Sequence, residues 1–178
     1  MSSNINIKEN PMKEILIASL TLNIGAGTEV ENVEKAVSLL SKISGKRAVK
    51  TFAKKRIPTW KIRPGLPIGA RVTVRGKAAE ALLKRLLAAV DFALPRKSFT
   101  KNGFSFGIKE YVDIPEMKYD PEIGIIGLDV AVSLKRRGYR VAKRKIKKAK
   151  IGASHIIKAD EAFAWAQAKF GLKEKESE

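Results

Sequence analysis

Apolar and polar residues alternate along residues 13–24, K-E-I-L-I-A-S-L-T-L-N-I, with the period expected of a half-buried strand. Leu16, Ala18, Leu20, Leu22 and Ile24 fall on one face, and Ile17, Ser19, Thr21 and Asn23 on the other. Asn-Ile-Gly-Ala-Gly (23–27) then turns the chain, and Thr28 with Glu31 has the spacing of a capping box. Val30, Val33, Val37, Leu40 and Ile43 recur at helical spacing up to Gly45, a residue suited to ending a helix. A short strand is expected over 47–53 and a clearer one over 68–75. There Ala70, Val72 and Val74 point one way and Arg71, Thr73 and Arg75 the other. Leu82, Leu83, Leu86, Leu87 and Val90 mark a second helix over 77–92, ended by Pro95. Two more strands fit 104–112 and 123–134, joined by an acidic connection at 113–122. The chain closes with a basic stretch, 135–150, and an amphipathic helix over 160–170.

This order predicts an α+β fold: a mainly antiparallel sheet with helices packed on one face. Residues 1–11 read as a flexible polar arm, 12–134 as one domain, and 135–178 as a basic extension and terminal helix of that domain. Each strand then needs only one apolar face. The open face would present Ser19, Thr21, Asn23, Arg71, Thr73 and Arg75, which can hydrogen-bond a nucleic acid. It carries no aromatic residue to stack unpaired bases, so the pattern favours structured RNA met through phosphates, 2′-hydroxyls and shape.

Charge strengthens that reading. Of 178 residues 30% are charged and 44% hydrophobic, an ordinary globular balance, yet the net charge is +18. Residues 35–79 hold 13 basic residues and no acid; residues 130–159 hold 11 and no acid. A polyanion is the natural partner, because each neutralised phosphate releases condensed counterions. The chain has no cysteine, no apolar run of transmembrane length and no signal-peptide pattern, so a cytoplasmic protein without disulfides or membrane contact is expected.

Residues 54–66 break the periodic pattern. Lys54, Lys55, Arg56, Lys61 and Arg63 surround Trp60, and Pro58, Pro64 and Pro67 exclude a helix. Loops this long without regular structure are usually functional or disordered, which leaves Trp60 either tucked into the core or carried on a protruding finger. The remaining candidates point to no chemistry. The glycine turn at 23–28 lacks a third glycine and a P-loop lysine, and reads as a structural turn. His155 is the only histidine and has no second ligand at metal spacing, so packing or RNA contact fits it better. Asp113, Glu116, Asp120 and Glu122 read as a charged connection, and Phe163, Trp165 and Phe170 as packing residues. No enzyme, cofactor or metal site is expected. A free RNA-binding regulator or RNA chaperone using the same face is the alternative function.

Several segments together resemble one family. They are Asn-Ile-Gly-Ala-Gly (23–27), Thr-Phe-Ala-Lys-Lys (51–55), Lys-Ile-Arg-Pro-Gly-Leu-Pro-Ile-Gly (61–69), Val-Thr-Val-Arg-Gly (72–76), Gly-Ile-Lys-Glu (107–110), Pro-Glu-Met-Lys-Tyr-Asp (115–120) and Gly-Leu-Asp (127–129). In this order, across most of the chain, they resemble the universal large-subunit ribosomal protein that binds 5S ribosomal RNA (ribosomal protein L-five). Gly-Tyr-Arg-Val (138–141) and Ile-Gly-Ala-Ser-His (151–155) look like its archaeal and eukaryotic branch.

The resemblance implies that the open face grips 5S rRNA through Asn23, Arg71, Thr73 and Arg75, with Lys46 and Arg47 at a polar RNA contact after the first helix. It implies that the loop bearing Lys54, Lys55, Arg56, Trp60, Lys61 and Arg63 reaches the P-site tRNA. It further implies contacts with large-subunit rRNA in the central protuberance, with neighbouring proteins of the 5S particle, and with a small-subunit head protein across the intersubunit bridge, as a monomer within the ribosome. On charge, Lys135, Arg136, Arg137, Arg140, Lys143, Arg144, Lys145, Lys147 and Lys148 are expected to bind rRNA as well.

Overall fold

A computed structural model describes residues 10–175, so the predicted arm over 1–11 lies almost wholly outside the described residues. The elements are β1 (Ile15–Gly25), α1 (Val30–Ser44), β2 (Val49–Phe52), β3 (Pro67–Val74), α2 (Lys77–Ala88), β4 (Ala93–Leu94), β5 (Phe99–Thr100), β6 (Gly103–Ile108), β7 (Leu128–Arg136), α3 (Arg140–Lys143), α4 (Ala159–Phe170) and β8 (Lys173–Glu174). Six strands form one sheet in the order β2-β3-β1-β7-β6-β5, antiparallel throughout. The predicted α+β class and antiparallel sheet are both present.

One core joins the sheet to the helices. Leu20, Leu22 and Ile24 of β1, Val72 and Val74 of β3, and Val130, Val132 and Leu134 of β7 alternate into it. From the other side come Leu39, Leu40 and Ile43 of α1, Leu83, Leu86 and Leu87 of α2, and Ala162, Trp165 and Ala166 of α4. Each fully buried leucine contributes about 1.5–3 kcal/mol. The terminal helix shares this core, with Phe163 set edge-on against Phe99 at 5.2 Å and Trp165 against Phe170 at 5.7 Å.

Local details depart from the alternation. In β1, Ile17 pairs with Leu134 and Ser19 with Ser133, so the ladder skips Ala18 in a bulge. The bulge reverses the faces before it. Ile15 and Ile17 pack against the core, and Leu16, expected there, lies opposite Lys135. The helix α1 starts one residue later than a Thr28 cap requires. Its N-cap is Glu29, whose carboxylate accepts from the Asn32 amide at 2.8 Å, so the capping box is not made. The helix α2 ends at Ala88, not at residue 92, and Asp91 and Phe92 both take left-handed backbone angles. The chain can then run as β4, which pairs in parallel with β8 beyond the terminal helix. Gly171 stops α4 in a left-handed cap, as Gly45 stops α1.

The acidic connection is held by the protein itself. Asp120 pairs with Lys42 of α1 at 2.6 Å and Glu116 with Arg85 of α2 at 3.3 Å, while the buried Tyr111 hydroxyl accepts from the Asp120 amide at 2.8 Å. The Lys42 hydrogen bond, with the Glu122 amide, holds the Asp120 carboxyl below the usual carboxylate range and lifts Lys42 above the usual lysine range. With the folded Asp120 value lowered, this pair supports the fold at neutral pH, and its support fades as pH falls through that lowered value.

Gly69 of β3 lets the backbone of β1 approach closely. A Cβ there would overlap the Ile24 carbonyl oxygen, a backbone atom that cannot swing aside. Gly69→Ala is therefore expected to destabilise the protein by about 1–3 kcal/mol. Chemical denaturation with the midpoint as readout checks this.

Candidate nucleic-acid interface

The sheet face turned away from the helices is built by the alternate residues of five strands. Ser19, Thr21 and Asn23 of β1, Arg71 and Thr73 of β3, Val49 and Thr51 of β2, Ser105 and Gly107 of β6, and Asp129, Ala131 and Ser133 of β7 are all exposed or half-buried. The residues between those of β1, β3, β6 and β7 point into the core. Register sets these residues in rows. Asn23 lies opposite Arg71 on one side and Asp129 on the other, and Arg71 opposite Val49. In the next row Thr21 lies opposite Thr73 and Ala131. The candidates Asn23, Arg71 and Thr73 are thus neighbours on one surface, and Arg75, exposed, continues it just past β3. Phe52, 56% exposed, ends β2 beyond a register shift and lies opposite Pro67 at the edge of this face.

Lys46 and Arg47 are exposed in the turn that leads from α1 into the edge strand β2. The Pro-rich loop is the connection of the β2–β3 hairpin and is more ordered than its sequence suggested. The Ala53 amide donates to the Leu66 carbonyl at 2.9 Å, and the Gly65 amide to the Ala53 carbonyl at 3.0 Å. Ile57 and Ile62 exchange amide–carbonyl bonds at 3.0 and 3.1 Å, closing a tip whose middle, Pro58–Trp60, is a single 3₁₀ turn. Trp60 is 66% exposed, which rules out the inward-packed alternative. Lys54, Lys55, Arg56, Lys61 and Arg63 are exposed around it.

The basic stretch after β7 divides. Lys135 is half-buried on the open face, opposite Leu16. Arg136 is a correction to the expected rRNA contacts. It is only 7% exposed, with its guanidinium on the Glu161 carboxylate at 3.1 Å, because the strand alternation turns it inward under α4. Arg137 pairs with Glu14 at 2.8 Å and stays exposed. Arg140, Lys143, Arg144, Lys145, Lys147 and Lys148 are exposed, and Arg144 donates to the Lys147 carbonyl at 2.7 Å. His155 is packed: its ring meets the Arg137 carbonyl at 2.8 Å and the Tyr139 ring at 5.7 Å.

The two basic segments leave opposite ends of the face. The hairpin springs from the end where Gly69 lies beside Gly25, and the stretch after residue 136 from the end where Arg136 lies beside Ile15. The eleven residues of β1 separate these ends by roughly 33 Å at about 3.3 Å per residue. Thr51, Ser105, Asp129 and Ser133 also belong to the face and were not among the expected contacts. The alternation L-D-V-A-V-S-L in β7 was the signal for the last two.

A helix-backed antiparallel sheet with a polar, cation-edged free face defines a basic protein of the α+β class, with a surface chemically suited to RNA. Comparison with known proteins gives the particular family. Residues 10–63 match the family described as ribosomal protein L5, and residues 67–161 match the model of that family's C-terminus. A protein of Nanoarchaeum equitans named large ribosomal subunit protein uL5 is 52% identical, over 92% of this chain and 98% of its own length. Proteins of the same name from Archaeoglobus fulgidus and Sulfurisphaera tokodaii are 45% and 44% identical, over 89% and 92% of this chain and 89% and 93% of theirs. The chain belongs to the ribosomal protein L5 family. It is accordingly a structural, non-enzymatic ribosomal protein. Among the described residues no helix is long and apolar enough to cross a membrane.

Proposed function

We propose that this chain anchors 5S rRNA in the central protuberance of the large ribosomal subunit, in the cytoplasm, using the polar sheet face. Asn23, Thr73, Arg71 and Arg75 carry the contact, assisted from the sheet edge by Lys46 and Arg47. The observation behind this is the register that sets Asn23, Arg71, Thr21 and Thr73 in two adjacent rows on the free face. Amide and hydroxyl groups flanked by guanidinium groups suit a ribose–phosphate surface, where cations hold phosphates and neutral groups exchange hydrogen bonds with 2′-hydroxyls. The hairpin tip, with Trp60 exposed among five cations, suits the P-site tRNA. The segment from Arg137 to Lys148 suits large-subunit rRNA at the other end of the face. Neighbouring proteins of the 5S particle and a small-subunit head protein across the intersubunit bridge complete the partners, the chain being one copy per ribosome.

Affinity for a 5S rRNA transcript against a generic structured RNA of similar size, across a salt titration, tests this reading. The 5S preference is expected to survive at high salt, where non-specific phosphate contacts collapse. Asn23→Ala or Thr73→Ala is expected to cut it about tenfold. Equal binding of both RNAs, lost together as salt rises, would reject the specific site. For the hairpin, Trp60→Ala is expected to weaken tRNA retention in the P site about tenfold, the scale of one lost base–aromatic stack. Filter binding of tRNA to reconstituted ribosomes reads this directly.

A further inference from the structure

Asn102 lies in the turn between β5 and β6 and takes a left-handed backbone angle, φ 61°. The Leu134 amide donates to its carbonyl at 2.7 Å, and its own amide donates to the Ile157 carbonyl at 3.1 Å. Its side-chain oxygen accepts from the Ile157 amide at 3.1 Å and from the Tyr139 hydroxyl at 2.9 Å. One side-chain atom thus joins Tyr139, where the chain leaves β7, to Ile157, just before α4. A second tie lies close by, where the His155 ring meets the Arg137 carbonyl at 2.8 Å.

Between Tyr139 and Ile157 the chain forms an arch that carries Arg140, Lys143, Arg144, Lys145, Lys147 and Lys148. Its one α-helix, α3, has four residues, and every residue over 143–150 is exposed. Across the arch the Ala149 amide donates to the Val141 carbonyl at 3.3 Å. A segment that buries so little has few contacts of its own to fix its shape, so its order depends on how its base is held. An arch with a loose base would have to be ordered when RNA binds, and that ordering subtracts from affinity. We infer that Asn102 is a positioning residue: its side-chain oxygen fastens both ends of the arch and so presents the arch cations to large-subunit rRNA in a fixed arrangement. This rests on the reading of the segment from Arg137 to Lys148 as an rRNA contact and adds to it what holds the contact in place. The position demands an acceptor for two donors on a left-handed backbone, which asparagine and aspartate both supply.

Asn102→Gly isolates that oxygen, because glycine keeps the left-handed turn without strain. Affinity of the full chain for a large-subunit rRNA transcript is expected to fall about fivefold, the scale of one hydrogen bond. Affinity for a 5S rRNA transcript, bound through the sheet face, is expected to stay unchanged. The salt slope for the large-subunit transcript should also hold, since the same phosphates are neutralised once the arch is ordered. Asn102→Asp keeps the acceptor and is expected to restore most of the loss. Tyr139→Phe added to Asn102→Gly should cost little more, because the hydroxyl acts through the same oxygen. Limited trypsin digestion reads the arch without RNA. Cleavage over 143–150 is expected to quicken about fivefold in Asn102→Gly, to return to the native rate in Asn102→Asp, and to stay unchanged elsewhere in the chain. Parallel loss of both RNAs, or faster cleavage along the whole chain, would assign Asn102 to general stability and overturn the proposal. Native cleavage of the arch in Asn102→Gly would overturn it as well. Neutralising Lys143, Arg144 and Lys145 to glutamine separates the two levels. If that triple variant binds the large-subunit transcript as the native chain does, the rRNA reading itself has failed and takes this inference with it. A loss there without one in Asn102→Gly rejects only the role of Asn102.

Discussion

Replacing Arg71 and Arg75 together with alanine is expected to weaken binding of 5S rRNA roughly a hundredfold at physiological salt. Both side chains are exposed on the free face, and neither forms an ion pair among the described residues. Little stability is lost with them, because nothing within the protein depends on their charge. In the proposed complex each contacts a phosphate, and one lost contact of this kind costs about a factor of ten. The slope of log affinity against log salt is expected to flatten by about 2, one per lost phosphate contact. Electrophoretic mobility shift assays at four or five salt concentrations give both numbers. Unchanged affinity and slope would move the RNA off this face. A change confined to affinity, with the slope intact, would mean that the arginines read base edges instead of phosphates. The same double variant should leave tRNA contacts at the hairpin untouched, since the two sites lie at different parts of the molecule.

Glu161→Ala is expected to cost about 2–3 kcal/mol of stability, whereas Arg136→Met should cost less than about 1 kcal/mol. The asymmetry follows from where the charges lie. Arg136 is buried beneath α4 and leans on the Glu161 carboxylate, which is partly in solvent. Removing Glu161 strands a buried guanidinium and also frees the Lys158 amide, which donates to the same carboxylate at 3.0 Å at the start of α4. Removing Arg136 leaves a carboxylate that water can reach. Its Nε already lacks a hydrogen-bond partner among the described residues, so methionine gives up little there and keeps the packing. For a chain of this size the Glu161 loss corresponds to a fall in Tm of roughly 4–12 °C, measurable by calorimetry. RNA affinity and salt slope should not change in Arg136→Met. A lower slope in that variant would return Arg136 to the RNA-binding set from which its burial removes it.

Much of the architecture was legible because its causes are local. The alternation through residues 68–75 assigns Arg71, Thr73 and Arg75 to one face whatever lies beneath, since successive side chains in a strand point to opposite sides. The stripe Val33, Leu40 and Ile43 in α1 required a partner surface and obtained it from the sheet. Two uninterrupted runs of cations could be matched to a polyanion without any coordinates.

Other features depended on contacts between distant segments. A bulge at Ala18 is invisible in an alternating run, because the skipped residue shows only when β7 supplies its partners; with it, Ile17 and Leu16 exchange roles. The β4–β8 pair joins residues some eighty positions apart, through strands too short to carry a period. Trp60 could satisfy either role until the hairpin closed its tip by its own backbone bonds and left the ring outside. Arg136 reads as one more cation in a basic stretch, and only α4 laid over it makes it a buried one. Chain order by itself therefore determined which residues share a face wherever the strand or helix runs without a bulge, and what charge the protein carries, because both follow from side-chain chemistry and backbone period. Tertiary structure alone decided which cations face solvent, where the two basic segments leave the sheet, and that Asp129 stands beside Asn23, because these depend on register and packing between segments the chain does not place together.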